Sequence, residues 1–462
     1  MQPALVVGLA KTGLAVAKQL ISEGRAVVVI DDGPLTASMR LRVDEVLRIG
    51  ARVEIGPDSQ RLFALVRECE FVVPSPGVRP SHPVLVAARE GQTPVRSEID
   101  LAAERFSFPI VAITGTNGKT TTVEMTTAML QAGGLKVASG GNIGTPLISF
   151  VGDDLDVIVA EVSSFQLEFV TQHWRPRVAV ILNIADDHLD WHGTLNAYKA
   201  AKSRIARFQT QDDALVLNID DDVVRSISVD GSTDQRSRLR PKVLTVTIAE
   251  NGDGEFRVER EALVAYGEEM VKIAELPRSL PHDLTNSLCA CAATFATRSL
   301  LGASADLASV VSVLRNYETL PHRVQFIGEN LGVKYFNDSK ATNPHATLRA
   351  VSAFDSVVLI AGGLNKGLDL SILRSVVSRI RSVVAIGAAA GEVAAAFEGF
   401  VEVQRATGMA DAVRRSATAA QSGDVVLLSP GCASFDMYPD GYTARGDDFV
   451  REVLLMSEES VA

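Results

Sequence analysis

The chain has 462 residues, more than one hydrophobic core usually holds, so two or three domains are expected. Hydrophobic residues make up 47% of the sequence and charged residues 22%, a balance that excludes a disordered or fibrous chain. The formal net charge of -11 argues against nucleic acid or an anionic membrane as a partner, because both need a basic surface.

The amino terminus, MQPALVVGLA, lacks the pattern of a secretory signal, and no apolar run has the length of a membrane span. We therefore expect a cytoplasmic protein without a membrane span. We also expect a monomer. The cysteines Cys69, Cys289, Cys291 and Cys432 form no CxxC pair, which predicts reduced thiols that serve packing.

The first unit, residues 1–97, begins as strand, glycine turn, helix and strand, with the sequences ALVVGL and RAVVVIDD as the strands. This order predicts a Rossmann-like domain. The turn Gly8–Gly13, with Asp31 and Asp32 about twenty residues later, imitates a dinucleotide fingerprint, but Ala10 replaces its middle glycine. A nucleotide of some kind is therefore expected, with a nicotinamide cofactor as the second choice.

The second unit, residues 98–319, contains strands of parallel-sheet character, FPIVAITG, DVIVAEVSS and VAVILNIAD, separated by helical lengths. It predicts a central domain of the P-loop ATPase type. From Asp212 to about Leu276 the pattern weakens into short strands and a polar loop at 230–242, which predicts an excursion on the edge of this domain.

The third unit, residues 320–462, alternates the strands GVKYFNDS, SVVLIAGG, SVVAIGA and DVVLLSP with helices. It predicts a second Rossmann-like domain and completes a three-domain α/β fold. Ligands of such sheets bind beyond the carboxyl ends of the strands, so we expect the functional residues in the loops that follow them.

The strongest motif is ITGTNGKTTT, Ile113–Thr122, between an apolar strand and a helix that runs to Gly133. It predicts a phosphate-binding loop, because glycines let N–H groups approach phosphate oxygens, Lys119 neutralises charge and Thr120 offers a hydroxyl to magnesium. Ile113 stands where the general pattern has its first glycine, so the loop is a shorter variant. An ordinary glycine turn is the alternative.

Three further residues, two at the ends of buried strands and one on a helix, are candidate metal ligands. Glu161 ends the strand VIVAE, a usual place for an acid that holds a nucleotide's magnesium. His188 follows the strand VAVILN, whereas the pair His188 and His192 is discounted as a zinc site because Gly193 breaks the helix. Lys202 is either a surface lysine or, if neutral, an amine that carbon dioxide converts into an anionic carbamate ligand.

In the third unit, cations and hydroxyl groups recur at strand ends, an arrangement that suits bound anions better than simple turns. The candidates are Arg323, Asp338, Lys340, Thr342, Lys366, Ser434, Phe435 and Tyr442.

In chain order, GTNGKTT, GGNIG, EVSSFQLE, DDHLD, YKAAK, LPHR, NDSKATN and LLSPGCASFD closely resemble the motifs of the Mur ligases of peptidoglycan synthesis. The resemblance covers nearly the whole chain. SSFQLE with GGNIG is most similar to the D-glutamate-adding branch. The resemblance implies ATP-dependent joining of D-glutamate to UDP-N-acetylmuramoyl-L-alanine through an acyl phosphate, with a third domain that closes over the site.

The resemblance also implies a role for each matching residue. Catalysis is assigned to Lys119, His188, Lys202 and Lys340. ATP is assigned to Gly115, Thr116, Asn117, Gly118, Lys119, Thr120, Thr121, Asn286, Arg323, Asp338 and Lys340. The UDP substrate is assigned to Lys11, Thr12, Ser75, Asn142 and His188, and D-glutamate to Thr342, Lys366, Ser434, Phe435 and Tyr442. Two Mg2+ ions are assigned to Thr120, Glu161, His188 and a carbamylated Lys202.

At three places the chain departs from the family pattern. Asp283 stands where an asparagine usually precedes the adenine contact, and Asp32 and Gly33 replace a hydroxyl residue and an arginine after the second strand. Tyr442 replaces a phenylalanine. The role of Asp283 and part of the UDP phosphate contacts therefore stay unassigned.

The alternatives differ in chemistry. A sibling Mur ligase or a folylpolyglutamate-synthase-like enzyme would share the reaction and add another amino acid. A nicotinamide-dependent dehydrogenase would leave the Lys119 loop unexplained, and a nucleotide-gated binding protein would leave the metal-ligand candidates without a use.

Overall fold

The computed structural model has three β-sheets in two compact units. Unit 1 comprises Met1–Ile184, Trp191–Ser279 and Asp283–Tyr317, and unit 2 comprises Ala185–Asp190, Leu280–His282 and Glu318–Ala462. The structure describes residues 2–230, 241–250, 252–303, 306–318 and 320–459.

The first sheet of unit 1 is parallel, with the order β3-β2-β1-β4. Its strands are β1 (Ala4–Val7), β2 (Val27–Asp31), β3 (Arg52–Ile55) and β4 (Phe71–Pro74). Its helices are α1 (Lys11–Ser22), α2 (Ala37–Arg48), α3 (Ser59–Glu68) and α4 (Pro83–Glu90), and α5 (Glu98–Ala103) follows them. The predicted βαβ start is confirmed.

The second sheet of unit 1 has the order β13-β12-β11-β10-β9-β8-β5-β7-β6. Its strands are β5 (Ile110–Thr114), β6 (Val137–Gly141), β7 (Val157–Glu161), β8 (Val178–Ile181), β9 (Ala214–Asn218), β10 (Lys242–Thr247), β11 (Phe256–Glu259), β12 (Ala262–Ala265) and β13 (Glu268–Lys272). Its helices are α6 (Lys119–Ala132), α7 (Ser164–Leu167), α8 (Leu189–His192), α9 (Leu195–Ser203), α10 (Asp222–Asp230), α11 (Pro281–Leu300) and α12 (Leu307–Asn316).

The edge of this sheet explains the weak pattern after Asp212. Strands β11, β12 and β13 pair antiparallel, so they add a short meander to an otherwise parallel sheet. The predicted excursion is confirmed, whereas most of the predicted polar loop at 230–242 lies outside the described residues.

Strands β5, β7, β8 and β9 of the second sheet are buried on both faces, which is why they are mostly apolar. In β5, Ile110 and Ala112 pack into one hydrophobic core while Val111 and Ile113 pack into another. This alternation follows from the two-residue period of a strand. The cysteines are buried free thiols, as predicted: Cys69, Cys289, Cys291 and Cys432.

The sheet of unit 2 has the order β14-β15-β19-β16-β17-β18. Its strands are β14 (Gln325–Asn330), β15 (Val333–Asn337), β16 (Val357–Gly362), β17 (Ile380–Ile386), β18 (Glu402–Arg405) and β19 (Val425–Gly431). Its helices are α13 (Pro344–Ser352), α14 (Ala390–Phe397), α15 (Met409–Ala419) and α16 (Tyr442–Glu459). Residues Leu370–Arg379 form a 3-10 helix.

The sequence pattern does not predict two of the strands of unit 2. Strand β14 pairs antiparallel with β15, and β18 is a short edge strand with exposed charged ends, so neither carries an apolar run. The three-domain α/β fold class is confirmed, while the domain limits at 97/98 and 319/320 stay a prediction. Within the described ranges, no helix is both long and apolar enough to cross a membrane.

Glu98 is a fully buried carboxyl group at the start of α5. It is 2% exposed, and its Oε1 accepts a hydrogen bond of 2.7 Å from the N–H of Ile148. Burial raises the pKa of Glu98 to about 7, although the N–H groups of Ile148 and Leu147 oppose the rise. Burial therefore favours the protonated form of Glu98, although the ionised form would be the stronger acceptor for the N–H groups of the 3-10 helix Leu147–Phe150.

The Glu98→Gln variant should change how stability depends on pH. Between pH 4.5 and about 7 the native protein keeps this proton while the unfolded chain loses it, so wild-type stability falls as pH rises through this window. Glu98→Gln lacks this titration. The difference in unfolding free energy between the variant and wild type should therefore shift by about 3 kcal/mol in favour of the variant as pH rises through the window. Urea denaturation at pH 4.5 and pH 8 measures the difference.

The matched control is Glu54→Gln. A hydrogen bond from Arg61 lowers the pKa of Glu54, so its titration lies below the window and its difference from wild type should stay constant. A constant difference for Glu98→Gln as well would contradict the account of Glu98.

Candidate active site

The loop between β5 and α6 is bound through its backbone to Asn183, which follows β8. Thr116 donates its N–H to the Asn183 carbonyl oxygen at 2.9 Å, and the N–H of Asn117 donates to Asn183 Oδ1 at 2.8 Å. Asn183 Nδ2 donates to the Asn117 carbonyl oxygen at 2.9 Å. Asn183 is 2% exposed, so these bonds are shielded from water and fix the shape of the loop.

Two lysines donate to the same loop. Lys119 Nζ folds back to the carbonyl oxygens of Gly115 at 2.9 Å and Thr116 at 3.0 Å. Lys202 Nζ donates to the Gly115 carbonyl oxygen at 2.8 Å, and Lys202 is 1% exposed. The loop therefore concentrates positive charge at the amino terminus of α6, where the helix dipole adds to it.

A buried carboxylate joins this loop to the loop after β6. Glu161, at the end of β7, accepts a hydrogen bond of 2.7 Å from Thr120 Oγ1 and one of 3.0 Å from Asn142 Nδ2. Glu161 is 2% exposed. A residue assigned to magnesium thus lies between one assigned to the nucleotide and one assigned to the acceptor substrate.

Gly118 permits a close approach by helix α11. Its φ is +88°, and a Cβ there would lie 2.4 Å from Asn286 Oδ1. Asn286, assigned to adenine, therefore lies beside the phosphate loop. Asp283 on the same helix accepts a hydrogen bond of 3.0 Å from Arg278, so its charge is paired.

An aromatic cluster supports the loop from the side of α8 and α9. His192 is 5.2 Å from Tyr198 between ring centres, and its Nε2 lies 2.9 Å from Ser164 Oγ. The Tyr198 hydroxyl lies 3.3 Å from Thr116 Oγ1. Helix α8 ends at His192, and Gly193 follows with a φ of +79°.

The first sheet places Lys11, Thr12 and Ser75 near the turn after β1. Lys11 and Thr12 begin α1, and Lys11 Nζ donates to the Gly144 carbonyl oxygen at 2.6 Å. Ser75 Oγ donates to the Gly8 carbonyl oxygen at 3.2 Å. Lys11, one of the residues assigned to the UDP substrate, therefore reaches the GGNIG loop that carries Asn142.

Beside this turn lies a cleft of about 540 Å³, bordered by Gly8, Asp31, Asp32 and Arg79. His82 Nδ1 accepts a hydrogen bond from the N–H of Val84, so His82 Nε2 carries the proton that is shared with Asp32 Oδ2 at 2.7 Å. Asp32, which replaces a hydroxyl residue of the family pattern, is thereby held at the cleft.

His188 belongs to unit 2. Its φ is +52°, its backbone N–H donates to Asp187 Oδ1 at 2.9 Å, and Asp187 Oδ2 accepts from Asn343 at 3.1 Å. Asn343 therefore fixes the segment that carries His188, and the left-handed backbone marks a constrained position. The roles assigned to His188 stay predictions.

Unit 2 brings its predicted residues to the carboxyl edge of its sheet. Asp338 follows β15 and accepts from Ser429 Oγ at 2.8 Å and from the N–H of Val324 at 3.3 Å. Lys340 Nζ lies 4.0 Å from the centre of the Tyr442 ring. Arg323 precedes Val324 in the chain. Arg323, Asp338 and Lys340 therefore lie near the end of β15.

A second group lies on neighbouring loops of the same edge. Thr342 follows β15, Lys366 follows β16, and Ser434 and Phe435 follow β19. Lys366 Nζ lies 6.0 Å from the centre of the Phe435 ring, and Ser434 is 2% exposed whereas Phe435 is 58% exposed. These side chains offer a cation, a hydroxyl group and an apolar surface together.

Sequence reasoning missed Asn183, whose buried side chain completes the phosphate loop. The signal was present, since the asparagine directly follows an apolar strand at the edge where loops meet. Thr121 lies in the first turn of α6, and its assignment to ATP stays a prediction.

Three family models match the chain and together span most of it. They are described as the Mur ligase MurD-like N-terminal domain at residues 2–97, the Mur ligase middle domain at 113–294, and the Mur ligase glutamate ligase domain at 322–432. The chain belongs to the Mur ligase family. This membership accounts for the phosphate loop and for the motifs in chain order.

Curated relatives match along their full length. A UDP-N-acetylmuramoylalanine–D-glutamate ligase of Desulfosudis oleivorans is 39% identical, covering 98% of this chain and 96% of that protein. A protein of the same name from Pelotomaculum thermopropionicum is 39% identical over 98% of each chain. One from Acidobacterium capsulatum is 38% identical, covering 97% of this chain and 95% of that protein.

Solved structures of two peptidoglycan and pseudomurein ligases share the fold. A pseudomurein peptide ligase type C from Methanothermus fervidus aligns with a TM-score of 0.59 and 17% identity, covering 98% of this chain and all of that one. A UDP-N-acetylmuramate-alanine ligase from Thermotoga maritima aligns with a TM-score of 0.57 and 18% identity, covering 99% and 100%.

The Gly118→Ala variant should lose nucleotide affinity. A methyl group there would press on Asn286 and strain the left-handed backbone of the phosphate loop. Affinity for a nucleoside triphosphate, measured by titration calorimetry, should fall at least about tenfold, which corresponds to about 1.4 kcal/mol.

Gly134→Ala is the matched control, because Gly134 has a φ of +87° and nothing lies within 4 Å of the place that an added methyl group would take. It should lower the melting temperature through backbone strain while nucleotide affinity stays at the wild-type value. Equal affinities for the two variants would contradict the role given to Gly118.

Proposed function

We propose that the chain is an ATP-dependent ligase that joins D-glutamate to UDP-N-acetylmuramoyl-L-alanine, releasing ADP and phosphate. The observation that carries the proposal is the junction at Glu161, where Thr120 of the phosphate loop and Asn142 of the neighbouring loop meet on one carboxylate. Relatives named for this reaction, 38–39% identical along nearly the whole chain, support the choice of substrates.

The residues around the loop fit ATP with magnesium. Magnesium prefers hard oxygen ligands, and the Thr120 hydroxyl and the Glu161 carboxylate supply two of them 2.7 Å apart. Lys119 and the backbone N–H groups at the start of α6 suit the phosphate oxygens. When bound, the ion neutralises phosphate charge and orients the terminal phosphoryl group.

We propose a second ion held in part by Lys202. Its amine is buried against the Gly115 carbonyl oxygen, so it lies at the phosphate loop. A carbamate on this amine would exchange a cation for an anionic oxygen ligand at the same place.

The charges of the reactants explain why the cations are needed. The acceptor carboxylate attacks the terminal phosphorus of ATP, the bond from that phosphorus to the bridging oxygen breaks, and ADP leaves with the electron pair. The charge of Lys119 would reduce repulsion between the two anions. The product is an acyl phosphate, whose carbonyl carbon is a far better electrophile than that of a carboxylate.

In the second step the neutral amine of D-glutamate attacks the acyl carbon. The tetrahedral intermediate expels inorganic phosphate and releases one proton, which leaves an amide. We assign the amino acid to the unit 2 loops that carry Thr342, Lys366 and Ser434, because a cation and hydroxyl groups suit its carboxylates.

The remaining assignments follow the same logic. We assign the UDP part of the acceptor to the cleft beside Gly8 and Asp32 and to the turn of Lys11, which gives residues 1–97 the role of acceptor-binding domain. Residues 98–319 would bind ATP and residues 320–462 the amino acid.

We propose a monomer that works in the cytoplasm, where ATP and UDP-linked sugars are made.

The direct test offers the purified protein ATP, magnesium and UDP-N-acetylmuramoyl-L-alanine with one amino acid at a time. D-glutamate should release phosphate and give a product heavier by one glutamyl residue in mass spectrometry. L-alanine, L-glutamate and diaminopimelate should not. A product with one of these instead would assign the chain to a sibling ligase.

Lys119→Ala should lower kcat on the order of 10² to 10³-fold, because the lysine stabilises charge that develops on the transferred phosphoryl group. Phosphate release under saturating substrates measures the effect. Lys136→Ala is a suitable control, since Lys136 is exposed and pairs with Asp154. An equal loss in both variants would remove Lys119 from the chemistry.

Lys202→Ala should lose activity and recover part of it with a short carboxylic acid, if the lysine acts as a carbamate. Recovery with a short alkylamine instead would show that the cation itself binds the Gly115 carbonyl oxygen. Activity in the presence of acetate and of methylamine, at constant pH and ionic strength, separates the two forms.

A further inference from the structure

Arg445, on α16 of unit 2, is a cation buried without a carboxylate partner among the described residues. It is 1% exposed. Its Nε donates to Ser339 Oγ at 3.0 Å, one terminal nitrogen donates to the Ser339 carbonyl oxygen at 2.8 Å, and the other donates to the Cys432 carbonyl oxygen at 3.1 Å and that of Ala433 at 3.4 Å. Every acceptor is a hydroxyl or carbonyl oxygen.

These contacts join two loops at the carboxyl edge of the sheet, and a third loop is attached to them. Ser339 belongs to the loop after β15, and Ala433 to the loop after β19. Leu364, in the loop after β16, exchanges backbone hydrogen bonds with Ala433 at 2.8 and 3.1 Å. Gly363 leaves room for the guanidinium, since a Cβ there would lie 3.0 Å from it.

Each of these loops carries one residue that we assign to D-glutamate. Thr342 lies three residues after Ser339, Lys366 two residues after Leu364, and Ser434 next to Ala433. The planar fork of an arginine holds such carbonyl groups in fixed directions, which a lysine cannot do. A small displacement of the guanidinium would therefore move all three residues.

The charge of Arg445 is also uncommon for a buried group. Burial lowers its pKa to about 10, so the side chain stays protonated at neutral pH. The carboxylates of Asp436 and Asp338 oppose this fall in pKa from a distance, but neither forms an ion pair with Arg445 among the described residues. Burial of the charge is therefore only partly compensated, and an anion that binds nearby offsets part of the remaining cost. Such a site favours an anionic ligand over a neutral one.

We propose that Arg445 is a positioning residue for the amino-acid substrate: it aligns the loops of Thr342, Lys366 and Ser434, and its buried charge selects a dicarboxylic amino acid. This inference rests on the proposed function. It adds a residue outside the sets assigned to ATP and to the acceptor, and this residue acts through the loops it binds.

The test compares Arg445→Met with Arg445→Lys in steady-state kinetics at saturating ATP and acceptor. Loss of the charge and of the fork in Arg445→Met should raise KM for D-glutamate on the order of tenfold or more while KM for ATP changes less than about twofold. Arg445→Lys, which keeps the charge, should lie between wild type and Arg445→Met.

The matched control is Arg381→Met. Arg381 lies at the amino end of β17 and is paired with the buried carboxylate of Asp424, with one bond of 3.1 Å. Removing it should lower the melting temperature and leave KM for D-glutamate unchanged. If Arg445→Met fails to fold, Ser339→Ala takes its place, because it removes one acceptor and keeps the guanidinium, and should raise KM for D-glutamate severalfold.

An unchanged KM for D-glutamate in all Arg445 and Ser339 variants, or an equal rise in KM for ATP, would overturn the inference. The wild-type measurement keeps this result separate from the proposed function. A wild-type enzyme that makes no glutamyl product refutes the proposed function, whereas an active wild type with indifferent variants refutes only the role of Arg445.

Discussion

The hydrogen bonds between Asn183 and the loop after β5 are the constraint on which the rest of the site depends. The loop is held by its own N–H groups at Thr116 and Asn117, which leaves the N–H groups at the amino terminus of α6 for the phosphate that we propose. Asn183 accepts those two hydrogen bonds from the neighbouring strand end, through its carbonyl oxygen and its side chain, and donates a third. Lys202 adds a hydrogen bond to the Gly115 carbonyl oxygen. The loop is therefore formed before any ligand binds, which lowers the entropic cost of binding.

Glu161 shows how the same support is extended to the acceptor. The buried Glu161 carboxylate accepts hydrogen bonds from Thr120 and from Asn142, so a displacement of either loop displaces the other. Magnesium ligands must be lone pairs, and the Thr120 hydroxyl has to turn its proton away from Glu161 when it binds an ion. The magnesium ion that we propose would replace a hydrogen bond that already defines the positions of its ligands, and little rearrangement of side chains would be needed.

Sequence reasoning predicted the elements that depend on residues close together in the chain. The apolar runs of β5, β7 and β8 indicated strands buried on both faces, and the glycine and lysine of the loop indicated phosphate binding. It missed β14 and β18, because edge strands bury one face at most, and it missed Asn183, Glu98 and Arg445. These three polar residues act through partners far away in the chain, at Asn117, Ile148 and Ser339. No spacing rule reveals such contacts.

The central claim is that the phosphate loop delivers the terminal phosphoryl group of ATP to a carboxylate. Oxygen-isotope transfer tests it most directly, with UDP-N-acetylmuramoyl-L-alanine labelled with 18O in its terminal carboxylate and unlabelled ATP. The account predicts that each inorganic phosphate formed with D-glutamate carries one 18O atom from the acceptor, because the acyl carbon–oxygen bond breaks in the second step. Phosphate without this label, released together with ligated product, would contradict it.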